Sequence, residues 1–115
     1  MPLTFRDREQ AFEAKFAHDE EFRFLACARR DKMFARWAAN KLRLSNEAAE
    51  ALVKEVLAIR NVPGHDQVVL RRIADFLSGR EAAVSERDLS AVLEECGQQA
   101  VRQLAERPPE GFNLM

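Results

Sequence analysis

Apolar residues recur at helical spacing along most of this chain. Pro2 is followed by no other proline until Pro63, and the first glycine is Gly64. Because proline and glycine are the residues that most often end helices, nothing interrupts helix between about residue 3 and residue 42. Such a stretch is long for one helix of a globular protein.

The apolar stripe changes direction within this long stretch. Phe5, Phe12 and Phe16 lie within roughly 40° of one another on a helical wheel. A second stripe is rotated by about 80° from the first, and it comprises Phe22, Ala26, Met33, Trp37 and Leu44. The change falls at four consecutive polar residues, 18–21. One straight helix cannot pack both stripes on one core, so we predict an N-terminal arm and then a core helix of about 21–43.

Capping and turn residues set the next boundaries. Ser45 is a favourable N-cap, and it predicts a helix of about 46–60. We expect its inward positions to be Ala49, Leu52, Val53, Val56 and Leu57. A turn follows, and Asp66 is then predicted to cap a shorter helix that ends before Gly79.

The last helix begins after Ser85, where Ser-Glu-Arg-Asp resembles a capping box. Gly97 weakens this helix by about 1 kcal/mol relative to alanine and indicates a bend or a close contact between helices. Pro108 and Pro109 end the helix. The prediction is an all-α fold, with an arm (1–18) that is either helical or disordered, a four-helix bundle (19–107) and a loose tail (108–115).

Composition agrees with one soluble globular domain. The chain has 115 residues, 47% of them hydrophobic and 32% charged, and a net charge of −1. This charge gives no general attraction to nucleic acid, and tyrosine, a common base-stacking residue, is absent. No apolar run approaches the roughly 20 residues of a bilayer span, and the N-terminus lacks an apolar signal core. We therefore expect no nucleic acid partner, no membrane insertion, and residence in the compartment of synthesis.

Residues that carry catalysis or bind cofactors are not grouped in the sequence. Four glycines form no phosphate-binding loop, and no Gly-x-Ser-x-Gly context presents a nucleophile. His18 and His65 have no second imidazole or thiolate at ligand spacing, which argues against a zinc site. Cys27 and Cys96 are expected to be reduced and to pack as small apolar groups. The sequence predicts no enzyme, no cofactor and no metal.

Four basic residues form a ridge on the predicted core helix. Arg29, Lys32, Arg36 and Arg43 fall within about 60° of one another. One interpretation is an anion or nucleotide site. The other is a solvated flank, in which the arginine stems cover the core edge and meet acidic residues of later helices.

The arm combines phenylalanine rings with many charged side chains. If it folded back onto the bundle, Phe5, Phe12 and Phe16 would be core residues. A narrow apolar stripe amid so much charge is instead typical of a helix that docks into a groove of another protein. We expect the arm to bind a partner.

The string FRDREQAFEAKFAHDEEFRF, followed by ARRDK and WAA, resembles the start of the zeta-subunit family of alphaproteobacterial ATP synthases. The resemblance is dense over residues 5–41 and continues more weakly to about residue 106. It implies an inhibitor of F1-ATPase with a four-helix globular domain. In that family the N-terminal arm inserts at a catalytic α/β interface beside the γ subunit and blocks rotation in the hydrolysis direction.

The same resemblance implies the partners and the contact residues. The partners are the α, β and γ subunits of F1, and the protein is then cytoplasmic and peripheral to the inner membrane through the ATP synthase. The expected contact residues are Phe5, Arg8, Glu9, Phe12, Glu13, Lys15 and Phe16. Phe12 and Phe16 are expected to be the apolar anchors, with the charges setting register.

Overall fold

The computed structural model describes residues 19–107, so the predictions for the arm and the tail lie outside the described residues. Four helices follow one another: α1 is Glu20–Lys41, α2 is Asn46–Leu57, α3 is His65–Ser78 and α4 is Glu86–Glu106. Every regular element in the described range is helical, which confirms the all-α prediction. No helix in this range is both long enough and apolar enough to cross a bilayer.

Side-chain caps begin three of the helices. The Asp19 carboxylate accepts a hydrogen bond from the backbone N–H of Phe22 at 2.9 Å. As predicted, the hydroxyls of Ser45 and Ser85 each accept a hydrogen bond from the backbone N–H group three residues ahead, at 3.2 and 3.1 Å. The prediction that Asp66 caps α3 is wrong. Gly64, with φ of 89°, occupies the cap position because glycine adopts this left-handed conformation without strain.

Two helices end earlier than the sequence predicted. Helix α1 stops at Lys41, and Arg43 beyond it adopts a left-handed conformation with φ of 54°. Helix α2 stops at Leu57 rather than near residue 60. Leu57 is 45% exposed, so its predicted inward position is wrong, whereas the other four predicted inward residues of α2 are buried.

Helix α1 is the centre of the bundle. It packs mainly against α2 and α4, and α3 packs on α4 and α1. Phe34 is fully buried, and the ring of Trp37 stacks on it with centroids 5.9 Å apart. The main buried core comprises Phe34, Ala35, Ala38, Ala39, Ala49, Leu52, Val53, Val56, Val69, Ile73, Leu77, Leu89, Leu93 and Cys96. Small alanines on α1 let α2 and α4 approach closely, and larger side chains on the neighbouring helices fill the space.

A second apolar cluster joins the start of α1 to the end of α4. It contains Phe22, Ala26 and Leu104, all less than a tenth exposed. The burial of Phe22 and Ala26 agrees with the predicted second stripe, and Met33 and Trp37 pack against the main core as partly buried residues. This cluster fixes the first turns of α1, the turns that follow the arm directly.

Candidate functional site

A buried polar pair links α1 to α3. Asp31, in the middle of α1, and His65, the first residue of α3, are 2% and 8% exposed. Their Oδ2 and Nε2 atoms are 2.6 Å apart. The Nδ1 of His65 lies 2.8 Å from the backbone carbonyl oxygen of Arg60, which orients the ring. Buried polar groups need such partners because an unpaired one costs free energy on leaving water.

Arg30 extends the pair into a network. Its Nε donates a hydrogen bond to Oδ1 of Asp31 at 3.0 Å, and its Nη2 lies 2.9 Å from the same oxygen. It also donates to both carboxylate oxygens of Asp66, at 2.8 and 3.3 Å. Asp66 belongs to the first turn of α3, so Arg30 joins α1 to α3 beside the buried pair.

Cys27 completes the cluster one turn before Asp31. Its Sγ lies 3.9 Å from Oδ2 of Asp31 and accepts a hydrogen bond from Nη2 of Arg30 at 3.4 Å. Burial raises the pKa of the Cys27 thiol, and the negative charge of Asp31 raises it further. The ligating atoms of Cys27, Asp31 and His65 all lie within 4.8 Å of one another, an arrangement that could hold a metal ion.

The cluster also sets two other protonation equilibria. Burial acts to lower the pKa of His65, but its hydrogen bonds to Asp31 and to the Arg60 carbonyl outweigh burial and raise the pKa above its ordinary value. The hydrogen bond from Arg30 lowers the pKa of Asp66. The raised pKa extends to higher pH the range in which His65 is an imidazolium, whose two ring N–H groups can both donate to the oxygens they face.

Sequence reasoning missed this cluster. Asp31 and His65 are 34 positions apart, so no local spacing connects them. One signal was present: Cys27 and Asp31 are four residues apart and therefore lie on one face of the predicted helix. The pairing of that face with the start of α3 could come only from the packing of the bundle.

A surface cleft adjoins the cluster. It has a volume of about 490 Å³ and lies between the end of α2, the following loop and the start of α3. His65 lines it, together with Arg60 and the exposed valines Val62 and Val68. The buried imidazole is therefore approached from solvent on this side of the bundle.

The family of the chain follows from its sequence as a whole. The family model described as ATPase inhibitor subunit zeta matches residues 2–103. The chain belongs to the zeta-subunit family of ATPase inhibitors. The match confirms the resemblance and covers both the arm and most of the bundle. Comparison with curated proteins gave no match.

Membership of the zeta family supports an inhibitory and regulatory role at ATP synthase rather than a catalytic one. The arm residues predicted to contact the partner, Phe5 to Phe16, lie outside the described residues. The Cys27–Asp31–His65 cluster was not among the predicted site residues.

The basic ridge is only partly continuous. Arg29 donates to the Gln103 side chain of α4 at 3.4 Å, and Lys32 is exposed. Arg36 forms an ion pair with Glu50 of α2, as expected for a solvated flank. Helix α1 ends before Arg43, so the helical periodicity that predicted its alignment with the other three does not extend to it. Within residues 19–107, Arg36 is the ridge residue that forms an ion pair.

Proposed function

We propose that this protein inhibits the F1 part of ATP synthase through residues 1–18. In this mechanism the arm inserts at a catalytic α/β interface next to the γ subunit and blocks rotation in the direction of ATP hydrolysis. The observation that carries the proposal is the zeta-family match, which begins at residue 2 and so includes the arm. The partners are then the α, β and γ subunits, and the protein is cytoplasmic and attached to the inner membrane through ATP synthase.

The free energies indicate what the arm must contribute. Burying three phenylalanine rings stabilises the complex by roughly 5–9 kcal/mol, at about 1.5–3 kcal/mol for each ring. Ordering about sixteen free residues costs on the order of 16–32 kcal/mol of backbone entropy. The rings alone cannot offset this cost. The difference must come either from helix already formed before binding or from polar contacts, which Arg8, Glu9, Glu13 and Lys15 would supply.

The bundle supplies a fixed point of attachment for the arm. Asp19 caps α1, and Phe22 is buried against Leu104 of α4 within the second apolar cluster. The residue that follows the arm is therefore held by a hydrogen bond, and the next turn is held by packing. A fixed attachment reduces the freedom that the arm loses when it enters a groove, which favours binding.

The test is the rate of ATP hydrolysis by purified F1 as the protein is added. The double variant Phe12→Ala/Phe16→Ala removes the proposed apolar anchors and is expected to weaken inhibition by at least about tenfold, since anchor residues of interfaces commonly cost 2 kcal/mol or more when truncated. Phe24→Ala is the matched control. Phe24 is 57% exposed on α1, so its loss removes a surface ring outside the arm.

The control variant should inhibit as the unmodified protein does. Equal inhibition by the double variant and the control would contradict the proposed role of the two anchors. Circular dichroism of each variant establishes that the bundle is folded before its effect on F1 is compared.

A second candidate function uses the basic ridge. Lys32 is exposed, and Arg29 meets the neutral side chain of Gln103 rather than an acid, so both cations can accept an anion such as a nucleotide phosphate. ATP or ADP is then expected to shift the amide NMR signals around Arg29, Lys32, Arg36 and Arg43. Unchanged amide signals at millimolar nucleotide would exclude this function without affecting the test with F1.

A further inference from the structure

We propose that the bundle binds one divalent cation of the zinc class through Sγ of Cys27, Oδ2 of Asp31 and Nε2 of His65. The proposal is independent of the inhibitory function, because each ligand belongs to the bundle. It assigns a function to the cluster beyond that of a structural hydrogen-bond network.

The positions of the three atoms suit such an ion. In tetrahedral zinc sites the bonds to nitrogen, oxygen and sulfur are about 2.0–2.3 Å, which places the ligating atoms roughly 3.3–3.8 Å from one another. Here all three lie within 4.8 Å of one another. The oxygen of Asp31 is 3.9 Å from the sulfur and 2.6 Å from the imidazole nitrogen. Changes of about 1 Å, within the reach of side-chain rotation, would convert the hydrogen-bonded arrangement into a coordinated one.

The neighbouring groups orient two of the ligands. Nδ1 of His65 faces the Arg60 carbonyl oxygen and keeps its proton, so loss of the Nε2 proton on metal binding leaves the lone pair of Nε2 directed at the cluster. Arg30 holds Oδ1 of Asp31, which leaves Oδ2 for the ion. In metal sites a ligating histidine commonly donates its other N–H to a carbonyl, and ligating carboxylates are themselves hydrogen-bonded.

The charges also balance when a divalent ion binds. With a neutral thiol and an imidazolium at His65, the group of Cys27, Arg30, Asp31, His65 and Asp66 carries no net charge. Binding of Zn²⁺ with release of the thiol proton and the Nε2 proton to solvent leaves the group neutral. The sulfur–zinc and nitrogen–zinc bonds form as the S–H and N–H bonds break, and no electron is transferred. Arg30 remains beside the thiolate, where its N–H donor stabilises the sulfur charge.

The site lies beside the surface cleft, and it supplies three protein ligands, one fewer than a tetrahedral ion takes. His65 lines the surface cleft, and Cys27 is only partly buried, so an ion can enter from solvent. Three protein ligands leave a fourth position for water. A bound ion would join the middle of α1, the helix that follows the arm, to the start of α3.

The experiment uses the full-length protein, reduced and freed of metal by a chelator that is then removed. Titration with Co²⁺ is expected to produce the sulfur-to-cobalt charge-transfer absorption and to saturate at one equivalent. Zn²⁺ should then displace Co²⁺ and abolish the absorption. Cys27→Ala should lose the absorption, whereas Cys96→Ala, the matched control for the second thiol, should keep it. His65→Gln is expected to weaken Co²⁺ binding by at least about tenfold.

A second measurement does not depend on the Cys96 variant. Zn²⁺ should raise the thermal unfolding midpoint of the unmodified protein and leave that of Cys27→Ala unchanged, because a ligand stabilises the state that binds it. Absence of the charge-transfer absorption at excess Co²⁺, or equal absorption from the Cys27→Ala variant, would overturn the proposal. An equal effect of Zn²⁺ on both midpoints would overturn it as well.

Discussion

Replacing Asp31 with alanine removes the acceptor that joins α1 to α3. The Asp31 carboxylate lies 2.6 Å from Nε2 of His65 and accepts from Nε of Arg30 at 3.0 Å, and its side chain is 3% exposed. Removing one partner of a buried charged pair costs about 3–5 kcal/mol, because the other charge is left without compensation. Arg30 keeps its contact with Asp66, so we expect the lower end, about 3 kcal/mol.

This loss is large relative to the total stability of a small domain, which is about 5–15 kcal/mol. At roughly 4 °C per kcal/mol for a chain of this size, the thermal midpoint should fall by about 12 °C. Urea unfolding followed by circular dichroism, in the presence of a chelator, measures the free energy directly.

The matched control is Asp66→Ala. Asp66 also contacts Arg30, but its side chain is 53% exposed, and exposed ion pairs contribute only about 0–1 kcal/mol. We therefore expect this variant to lose less than about 1 kcal/mol. An Asp31→Ala variant that unfolds at the same urea concentration as Asp66→Ala would refute the reasoning that burial gives Asp31 its importance.

Three further predictions concern the bundle. Folding raises the pKa of His65, so its stabilising contribution is complete below about pH 6.5 and is lost as the pH rises through the folded pKa. The variant His65→Gln should therefore lose less stability over this pH range in urea unfolding with chelator present. A pH profile identical to that of the unmodified protein would contradict this prediction. Ser45→Ala removes the cap of α2 and should cost about 0.5–2 kcal/mol by urea unfolding, so an unshifted midpoint would count against the cap. Gly97→Leu places a side chain where even a Cβ would lie 3.3 Å from Cδ of Arg30. The crowding should cost about 1–3 kcal/mol of stability in thermal unfolding, although leucine favours helix. A gain in stability would show that Arg30 does not pack closely on position 97.

Local patterns predicted the elements of the fold well. The hydroxyls of Ser45 and Ser85 cap helices as expected, since capping depends on a few neighbouring backbone groups. Gly97 was expected to mark a bend or a close contact, and it lies against the stem of Arg30. The cap of α3 was assigned wrongly because Asp66 is also a common first-turn residue, and the left-handed conformation of Gly64 begins the helix two residues earlier.

The polar cluster could not be predicted in the same way. Its parts come from the middle of α1 and the start of α3, and only the packing of the bundle brings them together. Periodicity treats Asp31 as a polar interruption of a helix, and it gives no distance between that helix and His65. The same limit applies to Leu57, whose exposure depends on where α2 ends.

The most direct test of the inhibitory function compares the full chain with a protein that comprises residues 19–115. The core residues of the bundle lie within 22–104, so the shorter protein is expected to fold, which circular dichroism can verify. Each is added to purified F1 while ATP hydrolysis is followed. We predict that the full chain slows hydrolysis in a saturable way and that the shorter protein has no effect at the same concentrations. Equal inhibition by both proteins, or none by the full chain, would contradict the account.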